Sequence, residues 1–218
     1  MASDRTPTEP DLPRNLEPVD GAVPADGAEL DAAEVRGADW ADRRIVGLQL
    51  DAVAFAGGDL TGTTFVDPAW RDVVLDDVDL ANATFRGGLV WRALVEAGRL
   101  TGVGVTEGEW RDVTVRNATA EIAAFRHAVL TRVTFDGCIL RQADFMGARC
   151  EDVRFEGCDL TGANFADAEL DGAEFRRCTM EEIEGIEGLR GAAVDLEQIM
   201  ALAPSMAAAL GIRVQPPL

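Results

Sequence analysis

The 218-residue sequence has no lysine and no tyrosine, and all 20 of its basic residues are arginine against 39 acids. A net charge of −19 excludes nucleic-acid binding through a basic face, because neutralising phosphates takes clustered cations. The absence of lysine also excludes a glycine-rich phosphate loop of the Walker type. There is one histidine, His127, so no Ser-His-Asp, Cys-His or multi-histidine metal set can be assembled. No apolar run approaches the ~18 residues that a membrane span needs. MetAlaSerAspArgThrPro, at the start, has no apolar stretch of the kind that opens a signal peptide. Four cysteines in a chain this long do not make a secreted disulfide scaffold. These features together predict a cytoplasmic protein without enzyme activity, cofactor, metal or direct nucleic-acid contact.

What is present is a repeat of five. Every residue whose number is a multiple of five, from Leu30 to Met180, is apolar. At a 47% apolar background, 31 such positions in succession have a chance on the order of 10⁻¹⁰. Two residues earlier runs a second register, positions 28, 33, 38 and onward to 178. It holds small residues (Ala, Gly, Val, Cys, Thr or Pro) everywhere except Arg43 and Leu48. Representative units are AspLeuThrGlyAla at 159–163 and AsnPheAlaAspAla at 164–168.

Five residues advance a helical face by about 140°, which smears the apolar set around the cylinder. On a flat strand an odd period flips the side chain at each repeat. Two inward residues spaced by two are locally strand-like, and keeping the next pair inward requires a corner after each unit. The chain must therefore wind around its own core as a solenoid whose neighbouring coils pair as short parallel strands.

Over about residues 26–182 the pattern resembles the pentapeptide repeat proteins, with consensus Ala-(Asp/Asn)-Leu-X-X. The resemblance implies an all-β fold: a right-handed quadrilateral parallel β-helix with four units, or 20 residues, per coil. It implies about eight coils and a rod of about 37 Å. All nine phenylalanines fall at numbers ending in 5, whereas numbers ending in 0 hold nine leucines and three tryptophans. Phe is thus expected to stack on two opposite faces and Leu on the other two. Cys138, Cys158 and Cys178, 20 apart at the small register, and Cys150 at the large one, are expected to be packed core thiols.

Three regions are expected. Residues 1–25, with five of the nine prolines, read as a disordered tail. Residues 26–184 form the β-helix. Residues 185–218 form a C-terminal helical cap or dimerisation segment, because an open solenoid end exposes strand edges and core. Within it, residues 195–203 predict a helix with Asp195 as N-cap, and 205–210 a second after Pro204, with Gly211 as C-cap. Leu196, Ile199, Met200, Leu202, Met206 and Leu210 are the candidate cap or dimer residues. GlyAlaAlaValAspLeuGluGln, 191–198, resembles the tail of the mycobacterial fluoroquinolone-resistance members of the family, which implies a homodimer through C-terminal helices. Roughly 86–126 keeps the period but loses its large residues. Trp91 lies outward there, either as an interface residue or as rim packing.

Residues 26–182 carry 30 acids against 16 Arg, a net of −14, and the charge is uneven. Residues 26–79 hold 13 acids and 4 Arg, residues 136–187 hold 14 and 5, and the stretch between is slightly positive. With 20-residue coils, Asp39, Asp59 and Asp79 stack, with Asp159 further along. Asp31 and Asp51 align in a second column with Glu151 and Asp171. These eight carboxylates are the candidate acidic interaction surface. Two functions compete: a scaffold for a protein partner, and a mimic of DNA directed at DNA gyrase, as the resemblance to fluoroquinolone-resistance members implies. The unbroken phase leaves no room for the loops that decorate Qnr-type relatives.

Overall fold

The computed structural model describes residues 6–213. The chain forms a parallel β-solenoid closed at one end by a single helix, Leu196–Ala209. Successive coils pair in parallel 20 residues apart: Leu50 lies over Trp70, Phe55 over Leu75, Phe65 over Phe85 and Thr114 over Thr134. Every residue of the large register from Val35 to Met180 is buried, and Leu30 is partly buried. Leu48, an exception to the small register, still points into the core. Arg43, the other exception, is exposed.

How an odd period keeps one face inward is visible in the backbone. Every fifth residue from Gly27 to Glu182 has a positive φ, between 48° and 72°. One left-handed residue per unit turns the chain by a corner, so the next strand-like pair again faces the core. Gly, Asp and Asn adopt this conformation at the lowest cost and fill most of these positions. The repeat therefore encodes corners as well as core.

The aromatic columns are those the period predicts. Phe125, Phe145 and Phe165 stack on one face with ring centroids 5.0 and 5.1 Å apart. Phe135, Phe155 and Phe175 stack on the opposite face at 5.2 and 4.8 Å. The two columns meet edge to face across the core, as Phe145 and Phe155 do at 5.5 Å and 88°. In the middle region, where Val95, Val105 and Val115 leave space, Trp110 bridges Phe85 and Phe125. Sγ of Cys138, Cys158 and Cys178 donates to the carbonyls of Val115, Phe135 and Phe155, and all four thiols are free.

The stack runs to about nine turns rather than eight, because strands are added at both ends. Glu17–Asp20 pairs with Ala33–Asp39 at the N-terminal end. The expectation of disorder over 1–25 thus fails for the described part of that segment. Indole Nε1 of Trp40 donates to the carbonyls of Gly21 and Ala22 (2.9 and 3.1 Å), and the Glu17 amide donates to Ala32 O. Backbone pairing and a buried tryptophan supply what apolar composition does not.

At the other end the 20-residue step breaks. A 3₁₀ turn, Ile186–Leu189, precedes Ala193–Val194, which pairs with the Glu174–Arg176 strand at a step of 19. The helix begins at the expected N-cap: Asp195 and Gln198 bond reciprocally as a capping box. It does not stop before Pro204 to start a second helix. Pro204 lies within one continuous helix that ends on Leu210 and Gly211, tolerated on a partly exposed turn at the cost of one backbone bond.

Candidate functional site

The proposed carboxylate columns are real in register. Asp39 lies over Asp59 and Asp59 over Asp79; Asp31 lies over Asp51. Each column is closed by an arginine one coil on. Arg71 pairs with Asp51, and Arg99 with Asp79 at 2.7 Å. Asp159 is separated from that column by Arg99, Thr119 and Ile139, and it pairs with Arg141 at 2.6 Å. Asp51, Asp79 and Asp159 are therefore neutralised rather than free. Asp31, Asp39, Asp59, Glu151 and Asp171 make no ion pair among the described residues. The eight do not form one continuous acidic stripe.

Several of these carboxylates also hold the corners. Asp59 Oδ1 accepts the amide of Thr61, Asp79 that of Ala81, and Asp159 both the amide and the hydroxyl of Thr161. For Asp59 the Thr61 bonds lead in holding the carboxyl below its usual pKa. An acid just before the large residue therefore has a structural reason to recur: it caps the turn.

A second charged column was not foreseen. Asp72, Arg92, Asp112 and Arg132 succeed one another at 20-residue steps, all at left-handed corners. Arg92 reaches back to Asp72 (2.5 Å), and Arg132 grips both oxygens of Asp112 (2.7 Å each). Asp72 and Asp112 are only 4% and 3% exposed. The N-terminal segment runs along them as a strap: the Asp11 amide donates to Asp72 (2.9 Å) and the Thr8 amide to Asp112 (3.3 Å). Burial by itself raises the Asp112 pKa, but the bonds from Arg132, the Thr8 amide and Trp91 outweigh it and leave the group below its usual value.

Trp91 belongs to this cluster. It is half-buried, its Nε1 donates to Asp112 Oδ2 (3.2 Å), and the Arg92 guanidinium lies 4.4 Å from its ring centroid. Rim packing describes it better than a free anchor. The 20-residue spacing of Asp72, Arg92, Asp112 and Arg132 was available in the sequence. The strap was not, because nothing local in 6–16 names the corner it lies on.

The C-terminal helix uses its candidate residues in two ways. Leu202 is buried, Met206 is partly buried against the solenoid core, and Ile199 is partly buried. Leu196, Met200 and Leu210 are 80%, 72% and 76% exposed. Buried Gln198 ties the helix to the last coil through Nε2 and the Cys178 carbonyl (3.3 Å).

Residues 128–185 match the family model for a pentapeptide repeat region. Those residues are a pentapeptide repeat region. Beyond the matched stretch, the same period and backbone corners continue back to Gly27. Among solved structures the chain is similar to HetL, a pentapeptide repeat protein involved in heterocyst differentiation regulation in the cyanobacterium Nostoc sp. strain PCC 7120. That similarity has 16% identity and a TM-score of 0.49, covering 78% of this chain and 88% of HetL. It is also similar to full-length QnrB1, a plasmid-mediated fluoroquinolone resistance protein, with 19% identity and a TM-score of 0.48, covering 89% and 97%. No curated protein matches the sequence. Among the described residues no cluster of three or more His, Cys, Asp or Glu is placed to hold a metal ion, and no helix is long and apolar enough to cross a membrane.

Proposed function

We propose that this protein is a non-enzymatic cytoplasmic scaffold of the pentapeptide repeat family that works as a homodimer joined through its C-terminal helices, with the sides of the solenoids offered to a protein partner. The observation that carries this reading is the outward apolar row of Leu196, Met200 and Leu210, opposite the face that seats Leu202 on the core. A row this exposed is covered in most soluble proteins. A core filled by stacked side chains, which leaves no interior cleft among the described residues, supports the non-enzymatic part.

DNA mimicry toward gyrase is the weaker reading. Arg71 and Arg99 interrupt both acidic columns after two or three coils, so the repulsive charge train that a DNA-binding saddle would read is broken. Light scattering coupled to gel filtration tests the dimer: the wild type should elute as a dimer, and Leu196→Asp with Met200→Asp as a folded monomer. A wild-type monomer overturns it. Gyrase supercoiling tests the mimic. No inhibition at tens of micromolar is expected, and inhibition abolished by Asp39→Asn, Asp59→Asn and Asp79→Asn would make mimicry the leading account.

A further inference from the structure

The proline spacing of the strap and the charge spacing of the corner beneath it have the same pitch. Pro7, Pro10 and Pro13 recur every third residue. Proline fixes its own φ near −65° and drives the residue before it into extended conformations. Pro7, Pro10 and Pro13 therefore have φ fixed at the polyproline value, Glu9 and Leu12 are biased to extended conformations, and no turn or bend interrupts 7–13. A polyproline II helix has three residues per turn at about 3.1 Å each, a pitch of about 9.3 Å. Solenoid coils lie about 4.8 Å apart, so two coils span about 9.6 Å.

Asp72 and Asp112 are two coils apart, and the amides that reach them, on Asp11 and Thr8, are one polyproline turn apart. Each donor directly follows a proline, which has no N–H of its own, so the same face of the helix presents one amide per turn. The column supplies one aspartate every second coil, with Arg92 between and Asp152 continuing it beyond Arg132. Trp91, bonded to Asp112 as the Thr8 amide is, stands beside the strap, and aromatic side chains are a recurrent part of sites that bind proline-rich segments.

We propose that this corner is a docking groove for a polyproline II segment of a partner protein, with residues 7–13 as the occupant built into the chain. The contacts read backbone amides and proline spacing rather than side chains. A partner segment with proline at every third residue, each followed by a residue with a free amide, offers the same donors. Among the described residues upstream of Glu17 no strand pairing anchors the strap, so exchange leaves the described β-sheet intact.

The test uses the full chain carrying Thr8→Pro and Asp11→Pro, which removes both donors and keeps the polyproline character. The probe is a synthetic peptide with the sequence of residues 5–16, titrated calorimetrically into the wild type and the variant. It should bind the variant one to one, about tenfold or more tighter than the wild type, whose own strap competes at an effective concentration on the order of millimolar. The same peptide with its three prolines changed to alanine should lose about tenfold or more. Equal affinity for the two chains, equal affinity of the two peptides, or no binding to the variant at millimolar peptide overturns the proposal. Hydrogen exchange on the wild type is an independent check that needs no variant. Slowed Thr8 and Asp11 amides support the register, and exchange at free-peptide rates overturns it.

Discussion

Arg132 and Asp112 meet across one coil step, Nε and Nη2 each 2.7 Å from a carboxylate oxygen, and the carboxylate is the buried partner. Their burial is unequal: the Arg132 side chain is 33% exposed and that of Asp112 only 4%. Removing the arginine therefore strands a charge in a place water does not reach, whereas removing the aspartate leaves a cation that can turn to solvent.

Arg132→Ala should cost about 2–4 kcal/mol in urea unfolding, and Asp112→Ala less. Equal costs, or a larger cost for Asp112→Ala, would show that the bonds Asp112 accepts from the Thr8 amide and Trp91 outweigh the stranding of its charge.

The pH dependence has a definite sign. Asp59, Asp112 and Asp159 have folded pKa values below the ordinary 3.8, with hydrogen bonds from Thr61, from Arg132 and the Thr8 amide, and from Thr161 and Arg141 favouring the charged forms. For a carboxyl depressed on folding, the stabilisation is fully present above the unfolded value and is lost as pH falls through the folded one. The unfolding midpoint should hold steady from neutral pH to about 5 and fall below about 4. Asp112→Asn should flatten that fall, and an unchanged slope in this variant counts against the assignment.

Tryptophans 40, 70 and 110 are all inward, but they are not equivalent. Trp40 Nε1 has two carbonyl partners in the N-terminal segment, while Nε1 of Trp70 and of Trp110 is buried with none among the described residues. An unpaired buried donor costs about 1–3 kcal/mol. Trp110→Phe should thus be close to neutral, whereas Trp40→Phe should lose about 1–2 kcal/mol more and speed hydrogen exchange in residues 17–22. Thermal melts of the two variants decide this.

Ile122 occupies a corner with φ of 50° and is 53% exposed. A β-branched side chain in the left-handed region is strained, by about 1–2 kcal/mol, and little packing offsets it here. Ile122→Gly should raise stability by up to about 1 kcal/mol after the entropy cost of glycine. A destabilised variant would mean that Ile122 makes contacts worth more than its strain.

The five-residue period was legible because it is a local rule repeated without a slip. Each unit must place a large and a small residue inward and then turn, and Phe135, Phe155 and Phe175 show how faithfully the rule is kept. The sequence determined the solenoid, its 20-residue step, the Phe columns, the buried free thiols and the Asp195 cap, since all follow from neighbours along the chain or one coil away. Tertiary structure alone decided where the ends go. A proline-rich segment that looks unable to order itself does so because the solenoid offers buried carboxylates at its own pitch, Asp72 and Asp112, for the amides of Asp11 and Thr8. One helix runs through Pro204, where local rules favour two, because Gln198 and Leu202 bind it to the last coil. Contacts of that kind join residues 20, 60 or 100 positions apart, and their energy depends on the surface the rest of the chain has already built.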